Sequence, residues 1–452
     1  MKAVQRKPRK TTLGKKVSTE ASSRRIRRMA GLVHRIFSDD LLNRVKDPRN
    51  TRGRSWKQSL PFLRAALLGM ACGCKGLREV ERLTDRLSKS VRKLTGIHKR
   101  IPDTTMRDFL CKVSINDLQE LLYVFGYDAW RRKAFQKRED FPFHVLSMDG
   151  KYPSFNDPSD YEYLQHRHEK DTREYLYSVI RTITGTLVTA PGRPILGAVP
   201  VPKHTNEMGE FQKAFGDFVR IYGKLFELVM YDAGGASEAN AKAVRSAGKH
   251  FFFQLADERH EIYKTLEFEL ADAPVLAKTT EHPSQSERLV REFSMVPNVS
   301  TSKDGLVWSS VHSLIKVVSW TMNNGIQSTE TKTRYFVTSM DSSRLSPEQW
   351  LRLVVLRWGV ETSHQILDQT FDEDKRPWFT KEPQGALVVM LLRRLVYTAL
   401  TLFKVRTQRS EDKQLAPWRE LLEDIMDAMK MATEKQVANL SDRTYKVPTV
   451  LA

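Results

Sequence analysis

Cysteine is nearly missing: the 452 residues hold three, Cys72, Cys74 and Cys111. Three thiols with no paired C-x-x-C build neither a disulfide framework nor a zinc ribbon, and their scarcity fits a reducing compartment. Long apolar runs are missing as well. The two longest are broken by Arg64 and by Arg393-Arg394, short of the ~20 apolar residues that cross a bilayer, so no membrane partner is expected. No apolar stretch follows the basic N-terminus, so no secretory signal is expected either. Acidic residues are in deficit, 54 Asp and Glu against 74 Lys and Arg, a formal charge of +20. That excess points to polyanions, because each cation that meets a phosphate releases a condensed counterion. With 40% hydrophobic residues the chain can bury a sizeable core, and its length suggests roughly two to four structural units.

The cations crowd the start of the chain. Residues 1–30 include Lys2, Arg6, Lys7, Arg24, Arg25, Arg27 and Arg28 against a single acid, Glu20, and read as a disordered basic arm that contacts DNA. Residues 31–140 carry helical spacing: Leu60, Leu63, Leu67 and Met70, then Met106, Leu110 and Val113. They read as an all-helical N-terminal domain for DNA binding or dimerisation. From Phe141 the pattern changes. Short strand runs appear over 143–148, 175–184 and 195–201, then a helix capped by Thr205 or Asn206, a strand over 226–231, a helix over 237–247 and a strand over 250–256. Three strands, helix, strand, helix, strand predicts an α/β fold with a mixed sheet on the ribonuclease-H-like plan. Residues 257–345, with strand-like runs at 306–309, 315–321 and 335–339, read as an inserted β-rich subdomain. Residues 346–408 return to helix as the second part of the α/β domain begun at 141–256, and 409–452 read as a helical C-terminal segment. Beyond the arm there is no internal repeat or low-complexity tract.

Asp149 and Asp232 share one address: each ends an apolar strand and precedes a turn that carries glycine. Strand ends are where a sheet exposes side chains into a crevice, so two such aspartates on neighbouring strands can face each other. Glu361 follows on a later helix. Three carboxylates held close repel unless a cation lies between them, and hard oxygen donors suit Mg²⁺ or Mn²⁺. Two such ions can activate an attacking oxygen and stabilise a leaving one at phosphorus. Taken singly, each acid is more often a turn or surface residue; it is the combination that suggests a site.

These residues resemble a known family, the DDE transposases of bacterial insertion sequences, nearest their H-repeat-associated branch. The resemblance runs in order through Asp47-Pro48-Arg49, Pro102-Asp103-Thr104-Thr105-Met106-Arg107, Met148-Asp149-Gly150-Lys151, Lys203-His204-Thr205-Asn206-Glu207 and Tyr231-Asp232-Ala233. It continues with Tyr335-Phe336-Val337-Thr338-Ser339, Arg357-Trp358-Gly359-Val360-Glu361-Thr362-Ser363-His364, Leu367-Asp368 and Thr370-Phe371-Asp372-Glu373-Asp374. No single block is specific; the ordered set is. It implies that Asp149, Asp232 and Glu361 are the catalytic, metal-binding triad for two Mg²⁺ ions, with Mn²⁺ able to substitute. Arg357 and Lys151 would contact DNA phosphate near the cut, although Arg357 could equally form a surface ion pair and Lys151 could stabilise its turn. Lys203 and the arm arginines Arg24, Arg25, Arg27 and Arg28 would bind DNA too. The chain departs from the wider signature of these relatives, which has Tyr three residues before that Arg and Lys seven after the Glu. Here Val354 and Asp368 stand there, which leaves open whether cleavage passes through a DNA hairpin. Asp368, two turns beyond Glu361, and His364, one turn beyond it, are supporting candidates, and helix packing is the competing role for His364. Trp308 and Trp378 are candidates to stack on an unpaired base, or are core residues.

The expectation is a transposase that binds the terminal inverted repeats of its element, cuts there and joins the 3′-OH to target DNA. It would act as a homodimer or higher assembly in the bacterial cytoplasm at the nucleoid. The rivals are a nuclease of the same fold that cuts without joining, a repurposed DNA-binding descendant, and an RNA-binding basic protein.

Overall fold

The run Val145-Leu146-Ser147-Met148 is buried on both sides, and it forms most of strand β1, Val145–Lys151, an interior strand of the sheet. A computed structural model of the chain describes residues 19–36, 38–49, 60–137, 140–256, 262–284, 286–299, 308–324, 326–374, 378–407, 417–438 and 440. In it β1 pairs antiparallel with β5 (Thr182–Leu187), and β5 pairs antiparallel with β6 (Ile195–Pro200). On its other side β1 runs parallel to β7 (Leu228–Tyr231), and β7 parallel to β8 (His250–Leu255). Helix α8 (Glu207–Tyr222) connects β6 to β7, and α9 (Glu238–Ser246) connects β7 to β8. Asn206 is the α8 cap, its side-chain oxygen accepting from the Gly209 N–H at 2.9 Å.

Strand alternation assigns neighbours to opposite faces. Leu146 packs with Phe211, Phe215 and Phe218 of α8 and Val244 of α9, whereas Val145 packs with Trp350, Leu353 and Val354 of α11 (Pro347–Arg357). Of the inward aromatics, Phe251 and Phe253 serve the first face and Phe252 the second.

The expected insertion is β-rich, but its strands belong to the same sheet. Strands β9 (Val275–Glu281), β10 (Glu287–Val296), β11 (Ser313–Asn323) and β12 (Ile326–Thr338) form an antiparallel meander. Its last strand pairs antiparallel with β8, giving nine strands in the order β6-β5-β1-β7-β8-β12-β11-β10-β9. The strand expected over 306–309 is not present at Trp308 and Ser309, and its first two positions lie outside the described residues. The run expected over 175–184 is two strands in two sheets. It breaks at Arg181 into β4 (Tyr175–Ile180) and β5, and β4 lies between β2 (Ser154–Phe155) and β3 (Leu164–His168) in a small separate sheet.

Helices α2 (Asp39–Leu42), α3 (Leu60–Ala71), α4 (Leu77–Asp85), α5 (Lys89–Thr95), α6 (Asp103–Leu110) and α7 (Ile115–Arg131) occupy the stretch read as helical. Leu63, Leu67, Met106, Leu110 and Leu122 from this stretch share one apolar core with Leu391 and Leu395 of α13 (Pro383–Thr407) and Ile425 of α14 (Trp418–Met431). By length and composition α13 could cross a membrane; in this fold it is a core helix, with 94% of its apolar window buried and Arg393 and Arg394 inside. The arm reading changes at its C-terminal end. Residues from Thr19 form α1 (Thr19–Ile36), because Met29, Ala30, Leu32 and Val33 supply an apolar face that the core buries. Residues 1–18 lie outside the described residues. One further helix, α12 (Gly359–Thr370), lies between α11 and α13 and carries Glu361.

Candidate active site

Parallel pairing of β1 and β7 matches Ser147 with Met230. Two residues further along stand Asp149, inside β1, and Asp232, the first residue after β7, so the register sets them beside each other; the turn expected directly after Asp149 is strand, because Gly150 and Lys151 stay paired with β5. The turn after Asp232 depends on glycine. A Cβ on Gly235 would lie 1.5 Å from the ring of Tyr231, a fully buried side chain with nowhere to move. Within that turn the Gly234 N–H donates to Asp232 Oδ1 at 3.0 Å and fixes the carboxylate.

Helix α12 lies along β1. His364 Nδ1 is 3.4 Å from Asp149 Oδ2, and Asp368, one turn further, pairs with Lys151, two residues further on the strand. Two strand residues and one helical turn advance about the same distance, ~6–7 Å, so both contacts close at once. Glu361 precedes His364 by one turn, and its exposed carboxylate accepts from Arg357 Nη2 at 3.4 Å.

A carboxylate that the sequence did not single out completes the group. Glu207, the first residue of α8, rests against the backbone of Gly150: a Cβ there would come within 2.3 Å of its carboxyl atoms. Its position was readable only in part. It ends the Lys203–Glu207 block, but nothing local shows that the start of α8 faces the end of β1.

Burial pushes the Asp149 carboxyl up to about 8, with the negative charges of Asp232, Glu361 and Glu207 adding to the shift and Arg357 opposing it. Glu207 is raised by burial and by Asp232, against Arg181, whose guanidinium is 4.0 Å away. His364 is held well below the usual imidazole range by burial and by the cations Lys151 and Arg394. Its contact with Asp149 therefore joins a neutral ring to a carboxyl group and is not an ion pair. Burial raises Asp368 to about 6, opposed by Lys151.

The donor set fits a hard divalent cation, since all four acids offer oxygen and Asp149 ionises with difficulty unless positive charge is supplied. Among the described residues no three His, Cys, Asp or Glu side chains stand close enough to enclose an ion, and Glu361 is turned toward Arg357.

The other candidates are dispersed. Lys151 is buried and bound to Asp368 and, at 3.5 Å, to Asp374, so it stabilises the strand end where a phosphate contact was one expectation. Arg357 is also buried, not a surface residue. Lys203 lies in the turn before α8, half-exposed and paired with Asp160. Arg24, Arg25, Arg27 and Arg28 are exposed on α1, which packs against α14, and Arg25 pairs there with Asp424. Trp308 and Trp378 are both buried in apolar cores and offer no ring to a base.

No family model and no curated protein matches the chain. Among solved structures, the cryo-EM structure of a piggyBac transposase synaptic complex with hairpin DNA is similar at 10% sequence identity and a TM-score of 0.44, over 93% of this chain and 85% of that one.

Proposed function

We propose that the chain is a DNA transposase of the DDE type with a ribonuclease-H-like core. The observation that carries this reading is the acidic group itself: Asp149 in β1 and Asp232 directly after the adjacent parallel strand β7, with Glu361 on the helix laid along β1. The strand order β6-β5-β1-β7-β8, with β5 alone running against the others, supports the core assignment. Asp149, Asp232 and Glu361 would hold two Mg²⁺ ions, or Mn²⁺ in their place. When bound, such ions lower the cost of forming the attacking oxygen nucleophile and of charge on the leaving oxygen.

The chain's own groups do the rest. His364 holds the Asp149 carboxyl in place, and Arg357 offers a buried guanidinium beside Glu361 to the phosphate oxygens. In cleavage, water would attack the phosphodiester and release a 3′-OH. In joining, that 3′-OH would attack a target phosphodiester, with a target 3′-oxygen leaving and taking up a proton. The formal charge of +20 and the exposed arginines Arg24, Arg27 and Arg28 on α1 support DNA as the polyanion. The element's terminal inverted repeats would be the sites bound, by a homodimer or higher assembly that holds two ends together.

The test uses a plasmid carrying the DNA that flanks the gene, purified protein and Mg²⁺, with new 3′ ends mapped. Cuts at matched inverted ends, lost in Asp149→Ala and Asp232→Ala while both variants still bind DNA, are expected. Transfer of the labelled 3′ ends into a second plasmid distinguishes a transposase from a nuclease that only cuts. Unchanged cutting in both variants would remove the triad assignment.

A further inference from the structure

The sheet face under α11 changes character toward the far ends of β10 and β12. Register places Phe293, Val317 and Arg334 across one row of β10, β11 and β12, and Arg291, Ser319 and Lys332 across the next row on the same face. The row with Phe293 and Val317 closes the apolar core beneath α11. Beyond it the face turns basic, and it meets the junction of α11 and α12 at Trp358. The guanidiniums of Arg291, Arg334 and Arg357 lie 5.1, 5.2 and 5.9 Å from the centre of that one indole ring. Three separate elements thus bring three cations to one aromatic side chain, three residues before Glu361.

Ring attraction alone does not account for the group, since cation–π contacts are weak and like charges repel. Carboxylates offset two of the three. Arg291 Nη1 lies 2.7 Å from Glu281, and Arg357 Nη2 lies 3.4 Å from Glu361. Arg334 has no carboxylate at ion-pair distance among the described residues; its Nη1 donates to Ser319 Oγ at 3.4 Å. Donors are left over too. The Nε atoms of Arg291 and Arg357 are buried with no hydrogen-bond partner among the described residues, and both side chains are nine-tenths or more buried. Buried N–H groups without acceptors are costly, and planar guanidinium forks match the paired oxygens of a phosphate. The site is open on one side, where Arg334 and Trp358 are half-buried and Glu361 is exposed.

We infer that Arg291, Arg334 and Arg357, gathered on Trp358, form a cradle for one backbone phosphate of the nucleic acid strand, next to the phosphate that reacts at Glu361. That phosphate belongs to DNA by the function proposed above, on which the inference rests. Arg334 is its principal free donor. Arg291 and Trp358 set the plane of the cradle, and Arg357 connects it to the acidic group.

The test is binding of the full chain to a fluorescein-labelled DNA duplex of about 30 base pairs, in EDTA, over a range of KCl concentrations. Arg334→Gln is expected to weaken binding about fivefold or more near 0.15 M KCl and to lower the slope of log Kd against log salt by about one, the mark of one lost phosphate contact. Arg334→Lys, which keeps the charge, is expected to restore the slope. Arg419→Gln, an exposed arginine on α14, is the control and is expected to leave both quantities unchanged. If the natural chain binds while Arg334→Gln matches the control, the cradle is wrong and the transposase reading stands. Equal weakening in the Gln and Lys variants, with both melting below the natural chain, would assign Arg334 to packing and overturn the inference. A natural chain that binds no DNA fails the proposed function first, and the cradle with it.

Discussion

His364 Nδ1 faces Asp149 Oδ2 at 3.4 Å, while its other ring nitrogen is buried with no partner among the described residues. The neutral ring makes one directed contact, with Asp149 of β1. Replacing His364 by Phe keeps a planar ring, slightly larger, and removes that contact. Groups that orient a metal-binding carboxylate typically change metal affinity by about 10–100-fold when lost. His364→Phe is expected to weaken Mn²⁺ binding by about tenfold, measured by titration calorimetry on the full chain, with far-ultraviolet circular dichroism unchanged. Undiminished Mn²⁺ affinity would leave His364 as a packing residue.

Asp149 makes stability depend on pH in an uncommon direction. Its carboxyl is raised to about 8 in the folded chain, so from the ordinary carboxylate range up to about 8 the folded state holds a proton that the unfolded state has lost. Stability therefore falls as pH rises through that window, by up to about 1.4 kcal/mol per pH unit for one group. His364, depressed by burial, works in the opposite sense and costs stability as pH drops below about 6.5. Urea unfolding in EDTA at pH 5, 6.5 and 8 isolates the acid when Asp149→Asn is compared with the natural chain. The variant is expected to gain stability relative to it, most at pH 8, and added Mg²⁺ is expected to narrow the gap by stabilising the natural chain. A constant difference across the three pH values would show that Asp149 ionises normally.

Local pattern carried the two aspartates. An apolar run followed by an Asp and a glycine is a short-range signal, so β1 and β7 are legible in the sequence, although β1 runs on through Gly150 and Lys151, where a turn was expected, because both stay paired with β5. The cap of α8 and the helix that bears Glu361 are legible too. What the sequence could not convey depends on register between distant segments. Lys151 reads as a phosphate ligand or as a residue that stabilises its turn, and only α12 lying along β1 brings Asp368 and Asp374 to it. Glu207 joins the acids because Gly150 leaves room for it. Strand β10 was not among the expected strands, since charge in Glu287-Arg288-Leu289-Val290-Arg291-Glu292 masks the strand alternation. Only pairing across β11 and β12 shows that Arg291 points into the face that holds Trp358. Trp308 and Trp378 failed as base-stacking candidates for the ordinary reason that large aromatic side chains fill cores.

The buried pair Glu373–Arg394 holds the far end of the Glu361 helix in place. Both side chains are fully buried, with Arg394 Nη1 donating to the two carboxylate oxygens at 3.1 and 3.2 Å and to the Met390 carbonyl at 2.7 Å. Arg394 Nη2 also reaches Thr182 Oγ1 at 3.4 Å, and Thr182 pairs with Lys151 across β5 and β1. The guanidinium thus connects α13, the loop that follows α12, and the two strands beside Asp149. Removing one member leaves a charge with no counter-ion in the interior, a loss of about 3–5 kcal/mol. Glu373→Gln is expected to lower stability by that amount in urea unfolding and to reduce DNA cleavage as α12 loosens on β1. Replacing both together, as Glu373→Leu with Arg394→Met, is expected to restore most of the stability, because well-packed apolar side chains avoid the desolvation cost that the ion pair carries. Should Glu373→Gln unfold within about 1 kcal/mol of the natural chain, the pair does not anchor the helix, and the position of Glu361 must rest on the His364–Asp149 and Asp368–Lys151 contacts alone.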